Sequence, residues 1–271
     1  MRKIKKISFI VISTLVLSSC GRYSKVLNKG TAEERYKLAT ELYDAGKYNK
    51  AVDLFEKVIT PYQGKPQMER IQYMVAQSYF NLKDYILSSY YFDKFAKNFP
   101  TSSKKEEAMY MSAYSDYLAS PKYSLDQSDT EKAITKMQVF IDSYPNSDRI
   151  ADANKISKEL RHKLEKKSFE IAKQYYKLED YKAAIVSFDN FLSDNLGSSF
   201  KEEVLFLRLK ASHDLAMESV QKKKGERLND AVKAFEKLER AFSDSQYLEE
   251  AKKLLIKINK ELDLITQLEN K

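Results

Sequence analysis

One thiol, two imidazoles and scattered carboxylates make up the reactive side chains of this 271-residue sequence. The thiol, Cys20, ends an ordered run of basic Arg2, Lys3, Lys5 and Lys6, apolar Ile7 to Leu17, and small Ser18 and Ser19. A basic start, a short apolar middle and small residues before a cut site form the pattern of a secretory leader. The apolar stretch is too short to cross a bilayer, which needs about 20 residues. A lone thiol rules out intramolecular disulfides and cysteine-rich metal sites. His162 and His213 lie far apart among lysines, without a spacing that would share a metal. The six glycines stand alone, so no glycine-rich loop is available to cradle a phosphate. Acidic pairs such as Glu33-Glu34 and Glu249-Glu250 sit where helices should begin, and there they complement the helix dipole. These patterns argue against an enzyme and against a metal or dissociable cofactor.

Leu17-Ser18-Ser19-Cys20 resembles the lipobox of bacterial lipoproteins. That resemblance implies a diacylglyceryl group on the Cys20 sulfur, cleavage before Cys20, acylation of the new amine and a covalent lipid as the only added group. Several acyl chains, at about 0.8 kcal/mol per buried methylene, tether a protein to the lipid bilayer durably. It further implies the outer membrane, because Gly21 stands where an aspartate would retain the protein at the inner membrane. The alternative is an ordinary signal peptide with a chance cysteine. The expected organisation is a signal over 1–19, a lipidated polar leash over 20–30, repeats over 31–245 and a terminal helix over 246–271.

Four of the 47 basic residues lie in the leader and no acidic ones do, so the mature chain carries 43 against 39. Its basic and acidic residues are interspersed, which suits solvated helix faces and excludes a nucleic-acid groove. All five prolines occur by Pro145, leaving a long C-terminal half with few breakers. Proline costs about 3 kcal/mol inside a helix, so this distribution favours helices.

A repeating pattern supplies the architecture. Tyr48 precedes Ala51 and Phe55, Tyr85 precedes Ser88, Phe92 and Phe95, and Tyr181 precedes Ala184, Phe188 and Phe191. Ala133 with Met137 and Phe140, and Ala231 with Phe235 and Leu238, are weaker copies. Residues three, four and seven apart share a helix face, so each copy presents one small residue between large ones. Twelve residues upstream, Ala39, Ala76 and Ala172 mark a preceding helix with its own close-contact point. The pattern resembles the tetratricopeptide repeat, which implies an all-α solenoid of about five helix-turn-helix units with a C-terminal capping helix. The segment 120–128 should be a loop, Lys222-Lys223-Lys224-Gly225 a basic loop, and the first helix of repeat four extended beyond Ser147.

Two phrases, Phe99-Pro100-Thr101-Ser102 and Tyr144-Pro145-Asn146-Ser147, close one unit and open the next. With the five unequal repeats and the lipobox, they resemble the BamD family of outer-membrane assembly lipoproteins. The resemblance implies a periplasm-facing scaffold of the β-barrel assembly machinery. Its partners would be a BamA-like barrel subunit, other assembly lipoproteins and unfolded outer-membrane β-barrel proteins recognised by a C-terminal signal. The other readings are a scaffold for a different cell-envelope or peptidoglycan-coordinating complex, and a lipid-anchored enzyme or solute-binding protein.

In the repeat register, Tyr36, Thr40 and Tyr43 of repeat one and Arg70, Tyr73, Gln77 and Phe80 of repeat two share the inner face. Tyr36, Tyr43 and Tyr73 are candidate apolar shelves for an extended peptide, with Gln77 and Arg70 as candidate contacts for its backbone and carboxylate. Packing within the chain is the competing role for these residues. Leu248, Ala251, Leu255, Ile258, Leu262 and Ile265 form a heptad seam. Leu255, Ile258, Leu262 and Ile265 on it would either dock a partner helix or cap the last repeat.

Overall fold

The computed structural model describes residues 21–269, and every regular element among them is a helix. A short helix, α1, runs through residues 21–29. It is followed by α2 (Ala32–Asp44), α3 (Tyr48–Tyr62), α4 (Gln67–Asn81), α5 (Tyr85–Asn98), α6 (Lys105–Ala119) and α7 (Ser128–Ser143). The rest are α8 (Ile150–Lys177), α9 (Tyr181–Asp194), α10 (Lys201–Met217), α11 (Gln221–Ala241) and α12 (Leu248–Glu269). Successive helices pack antiparallel in pairs, α2 with α3 through α10 with α11, and α12 covers the last pair. The fold is an all-α, tetratricopeptide-like solenoid. The described residues divide into unit 1, up to residue 121 with 127–160, and unit 2, residues 122–126 with those from 161 onward.

The small residues of the repeat explain the pairing. Ala39, Ala51, Ala76, Ser88, Ala133, Ala172, Ala184 and Ala231 have no exposed surface. Each lets a neighbouring helix approach closely enough for Phe55, Phe92, Phe140, Phe188 and Phe235 to fill the space around it.

Three of the turns inside repeats share one chemistry. The amides of Lys47, Asp84 and Asp180 donate to the carbonyls of Leu42, Tyr79 and Tyr175, five residues back, which is the Schellman closure of a helix. That closure places Gly46, Lys83 and Glu179 at φ of 69°, 61° and 61°. Only the first of these is the residue type that adopts such a φ without steric cost. Asp84 and Asp180 then cap the following helices by accepting from Leu87 and Ala183. Lys83→Gly is accordingly expected to stabilise unit 1 by about 0.5–1 kcal/mol, seen as a higher urea midpoint at unchanged slope.

The junctions between repeats carry a second recurring device. Ser102, Ser147, Ser198 and Ser245 donate from Oγ to Glu69, Glu106, Glu165 and Glu202 at 2.6, 2.6, 2.8 and 2.6 Å. Each hydroxyl also accepts an amide two residues on, from Lys104, Arg149, Phe200 and Tyr247. One serine thus closes the turn that enters the next first helix and fastens it to a glutamate of the previous one, in the first turn of α4, α6 and α10 and in the middle of α8. Ser198 and Ser245 do this without the aromatic-proline phrase that precedes Ser102 and Ser147.

Three expectations meet the structure here. The loop before α7 and the 28-residue α8 are where the breakers place them. Lys222 to Gly225 is not a loop: it lies inside α11, since lysines are good helix formers, one glycine costs only about 1 kcal/mol, and Lys224 pairs with Glu261 of α12 at 2.6 Å. Residues 21–29 are not a free leash either. They form α1, whose Tyr23, Val26 and Leu27 pack on the core of α2 and α3. Residues 1–20, with the signal and Cys20, lie outside the described residues.

Candidate functional site

The junction glutamates set the repeat register on the first helices. Counting from Glu69, Glu106, Glu165 and Glu202, the fourth residue on is Tyr73, Tyr110, Phe169 and Phe206, an aromatic in every case. Ala39 and Ala76 align Tyr36 with Tyr73 in the first repeat. The eighth position on reads Thr40, Gln77, Tyr114, Lys173 and Lys210, and the eleventh reads Tyr43, Phe80, Tyr117, Tyr176 and His213.

Unit 1 turns this register into a tyrosine-lined face on α2, α4 and α6. The Tyr73 ring stands edge-on over Phe92 and Phe95 at 5.8 and 5.3 Å, with the Lys104 ammonium 5.4 Å from its centre. Its hydroxyl donates to Glu107; burial and then that carboxylate's charge push the phenol well above its ordinary pKa. Burial also pushes Glu107 up, but the hydrogen bonds from Lys104 and Tyr73 outweigh it and hold the carboxyl below its usual range. The next repeat does the same: Tyr110 donates to Asp152, and Tyr117 donates to Glu159 at 2.8 Å. The Tyr117 phenol is pushed up to about 12 by that hydrogen bond and by burial. These phenols stay neutral donors at any physiological pH, so each acid orients a ring.

Tyr36 packs against Tyr62 at 5.3 Å and Tyr43 against Tyr48 at 5.6 Å. Phe80 meets Tyr85 and Tyr114 at 5.7 and 6.1 Å. Tyr36, Tyr43, Tyr73 and Phe80 are half-buried, so they serve the core and still present ring surface. Arg70 is exposed and Gln77 half-exposed, and neither side chain has a hydrogen-bond or ion-pair partner among the described residues. Arg70 lies near enough to Tyr43 to oppose the rise in that phenol's pKa that burial causes. Arg70, Tyr73, Gln77 and Phe80 recur every three or four residues on α4, a stripe of about 15 Å at 1.5 Å per residue. Aromatic surface flanked by free donors can hold a short extended segment that ends in a carboxylate.

Sequence reasoning stopped at repeat two and missed Tyr110, Tyr114 and Tyr117, which stack in turn at 5.7 and 5.8 Å. The signal was available, for these are the residues at the same offsets from Glu106 as Tyr73, Gln77 and Phe80 from Glu69.

Unit 2 keeps the register but exchanges the chemistry. Phe169 and Phe206 lack hydroxyls, and lysines take the acids instead: Lys173 pairs with Glu203 at 2.9 Å and Lys210 with Glu250 at 3.1 Å. The C-terminal seam is occupied by the chain itself. Ile258 is fully buried, and Leu255, Leu262 and Ile265 pack on the core of α10 and α11. The heptad spacing therefore serves as a cap, because the final repeat has no following repeat to cover it.

The histidines have local roles. His162 stacks on Phe200 at 5.0 Å, while His213 Nδ1 lies 2.8 Å from Asp214, which also accepts from Tyr176. Among the described residues no cluster of three or more His, Cys, Asp or Glu side chains could hold a metal ion, and no helix is long and apolar enough to cross a membrane.

Comparison with known proteins agrees with this architecture. The sequence is 28% identical over 249 residues to a putative outer membrane protein assembly factor BamD of Aquifex aeolicus, covering 90% of this chain and 80% of that protein. It is 22% identical over 222 residues to the outer membrane protein assembly factor BamD of Caulobacter vibrioides, covering 81% and 73%. A third similarity, to the BamD of Pasteurella multocida, is 22% over 193 residues, covering 68% and 74%. The profile of the YfiO family, described as outer membrane lipoprotein, matches residues 28–185 and 163–264, and so spans both units. With nearly all of the repeat array matched, the chain belongs to the BamD family of outer membrane lipoproteins.

Proposed function

We propose that this protein is a non-catalytic scaffold that assists assembly of outer-membrane β-barrel proteins, tethered by lipid on Cys20 and facing the periplasm. The observation that carries the reading is the tyrosine-lined face of unit 1, where acids fix the rings and Arg70 and Gln77 remain free. Its ligand is the C-terminal segment of an unfolded β-barrel protein. The terminal aromatic lies on the Tyr43 and Tyr73 surfaces, Arg70 takes the terminal carboxylate, and Gln77 bonds the peptide backbone. The partners are a barrel-forming assembly subunit and other lipoproteins of the machinery. Support comes from the relatives' description as assembly factors.

A hydrogen bond to a charged group contributes about 1.5–3 kcal/mol, so Arg70→Ala is expected to weaken binding of a Phe-terminated barrel peptide roughly tenfold or more. Amidating the peptide's C-terminus should cost the unaltered protein the same factor and cost the Arg70→Ala protein nothing further. Arg70 is exposed, so far-UV circular dichroism should not change. Equal affinity of the unaltered protein for acid and amide peptides would remove Arg70 from the site.

A further inference from the structure

We infer that α1 is a rigid mount that lays repeat one directly against an anionic bilayer surface, rather than the start of a tether that lets the solenoid swing. The inference rests on the lipidation of Cys20 proposed above.

Helix α1 is bolted to the repeat on two sides. Tyr23 donates to Asp53 of α3 at 2.6 Å, and Lys50 of α3 lies over the same ring at 5.0 Å. Arg22 pairs with Glu41 of α2 at 3.0 Å. Val26 and Leu27 pack into the core that α2 and α3 share. At its end, Arg35 donates to the Val26 and Asn28 carbonyls, and Thr31 closes a capping box with Glu34. This entry leaves no slack between α1 and α2.

Covalent geometry then limits the distance from the anchor. Consecutive Cα atoms are about 3.8 Å apart, so each residue between an anchor and α1 adds no more than that to its reach. Only Arg22 separates Gly21 from Tyr23, so a lipid attached one residue before Gly21 has little free chain between it and the contact between Tyr23 and Asp53. The outward side of α1 matches this position, with Lys25 and Lys29 exposed and no acid between residues 21 and 30. Lys25 and Lys29 have no ion pair among the described residues, although Lys25 lies near enough to Glu34 to help hold that carboxyl below its usual range, after the bonds with Thr31. Each basic residue close to an anionic leaflet is attracted by about 1 kcal/mol. The acyl chains supply the hold, while α1 and its basic face fix the distance and the tilt of repeat one.

The test uses the mature lipidated protein in vesicles of phosphatidylethanolamine and phosphatidylglycerol. With Cys20 acylated, Asn49→Cys supplies a single thiol on an exposed position of α3 for a fluorophore, and lipids with nitroxide headgroups act as quenchers. Strong quenching is expected. Ten Gly/Ser residues inserted between Cys20 and Gly21 add about 17 Å of flexible chain and should reduce quenching roughly threefold while the protein still floats with the vesicles. Lys25→Glu with Lys29→Glu should lower it about twofold through loss of headgroup attraction. Weak quenching of a floating protein, or quenching untouched by the insertion or by the charge reversals, would overturn the mount. Failure of the unaltered protein to float would instead remove the lipid reading and the mount with it.

Discussion

Replacing Phe95 by alanine is expected to destabilise unit 1 by about 4 kcal/mol, within the range for large aromatic truncations in a packed interior. Phe95 has no exposed surface, and its ring lies 5.3 Å from Tyr73 and 5.2 Å from Phe99. Alanine removes the contacts on both sides and leaves a void that α4 and α5 can close only partly, because Ala76 and Ala96 already bring the backbones together. The readout is the urea midpoint of the unfolding transition. A second consequence follows from the Tyr73 contact. Without its floor the Tyr73 ring loses its fixed pose, so affinity for a barrel C-terminal peptide should fall even where the helices remain folded. Phe95→Leu, which keeps most of the volume, should restore most of the stability. A loss under 1 kcal/mol on Phe95→Ala would show that this interior is loosely packed.

The second large effect lies in a polar layer among α5, α6 and α7. Asp116 is almost completely buried and lies 2.8 Å from the Lys136 ammonium and 3.4 Å from Lys132. Lys136 also donates to Ser89 and Ser112 at 2.7 and 2.9 Å, and Ser88 meets Ser115 at 2.9 Å. Asp116→Ala deletes the anion and leaves the ammonium facing a buried serine layer, with an expected cost of about 3 kcal/mol. The cost is at the lower end for a broken buried pair because Lys136 keeps some contact with water and can turn toward it. Removing both charges in Asp116→Leu with Lys136→Met should recover most of the loss, since apolar residues can replace a buried pair at little net cost. Thermal unfolding of the three proteins measures this. A double variant no better than Asp116→Ala would assign the layer's stability to the serines instead.

Small residues at 39, 51, 76, 88, 172 and 184 made the helix pairs legible in the sequence. A buried alanine between large residues has a spacing that survives changes in repeat length. The register within first helices was less visible, because its marker is the Ser–Glu junction, which joins residues 33 to 43 apart in sequence. Tyr110, Tyr114 and Tyr117 stand at the same offsets from Glu106, but that Glu106 marks the register emerges only from its bond with Ser147. The seam on α12 was visible as a pattern but ambiguous in role, since a heptad stripe suits a cap as well as a partner. Tyr23, Val26 and Leu27 are three apolar positions in a polar stretch, too short a run to signal a helix alone. Only their fit against α2 and α3 gives them meaning.

The candidate face was legible in part for a related reason. Tyr36, Tyr43, Tyr73 and Phe80 could be placed on one side by periodicity, but the acid that anchors Tyr73 comes from the next repeat. Glu107 and Asp152 orient Tyr73 and Tyr110 across helices, and no local spacing reveals such pairs. The replacement of tyrosine by Phe169 and Phe206, with lysines on the acids, likewise emerges only once the repeats are superposed through their junctions.

The most direct measurement is affinity purification of the lipidated protein from its own outer membranes in mild detergent, with crosslinking beforehand and identification of what is retained. The proposed function requires a membrane-embedded β-barrel subunit bearing periplasmic domains to be recovered in near-equal amount. Recovery of peptidoglycan-associated or other envelope proteins in its place, with no such barrel, would contradict it.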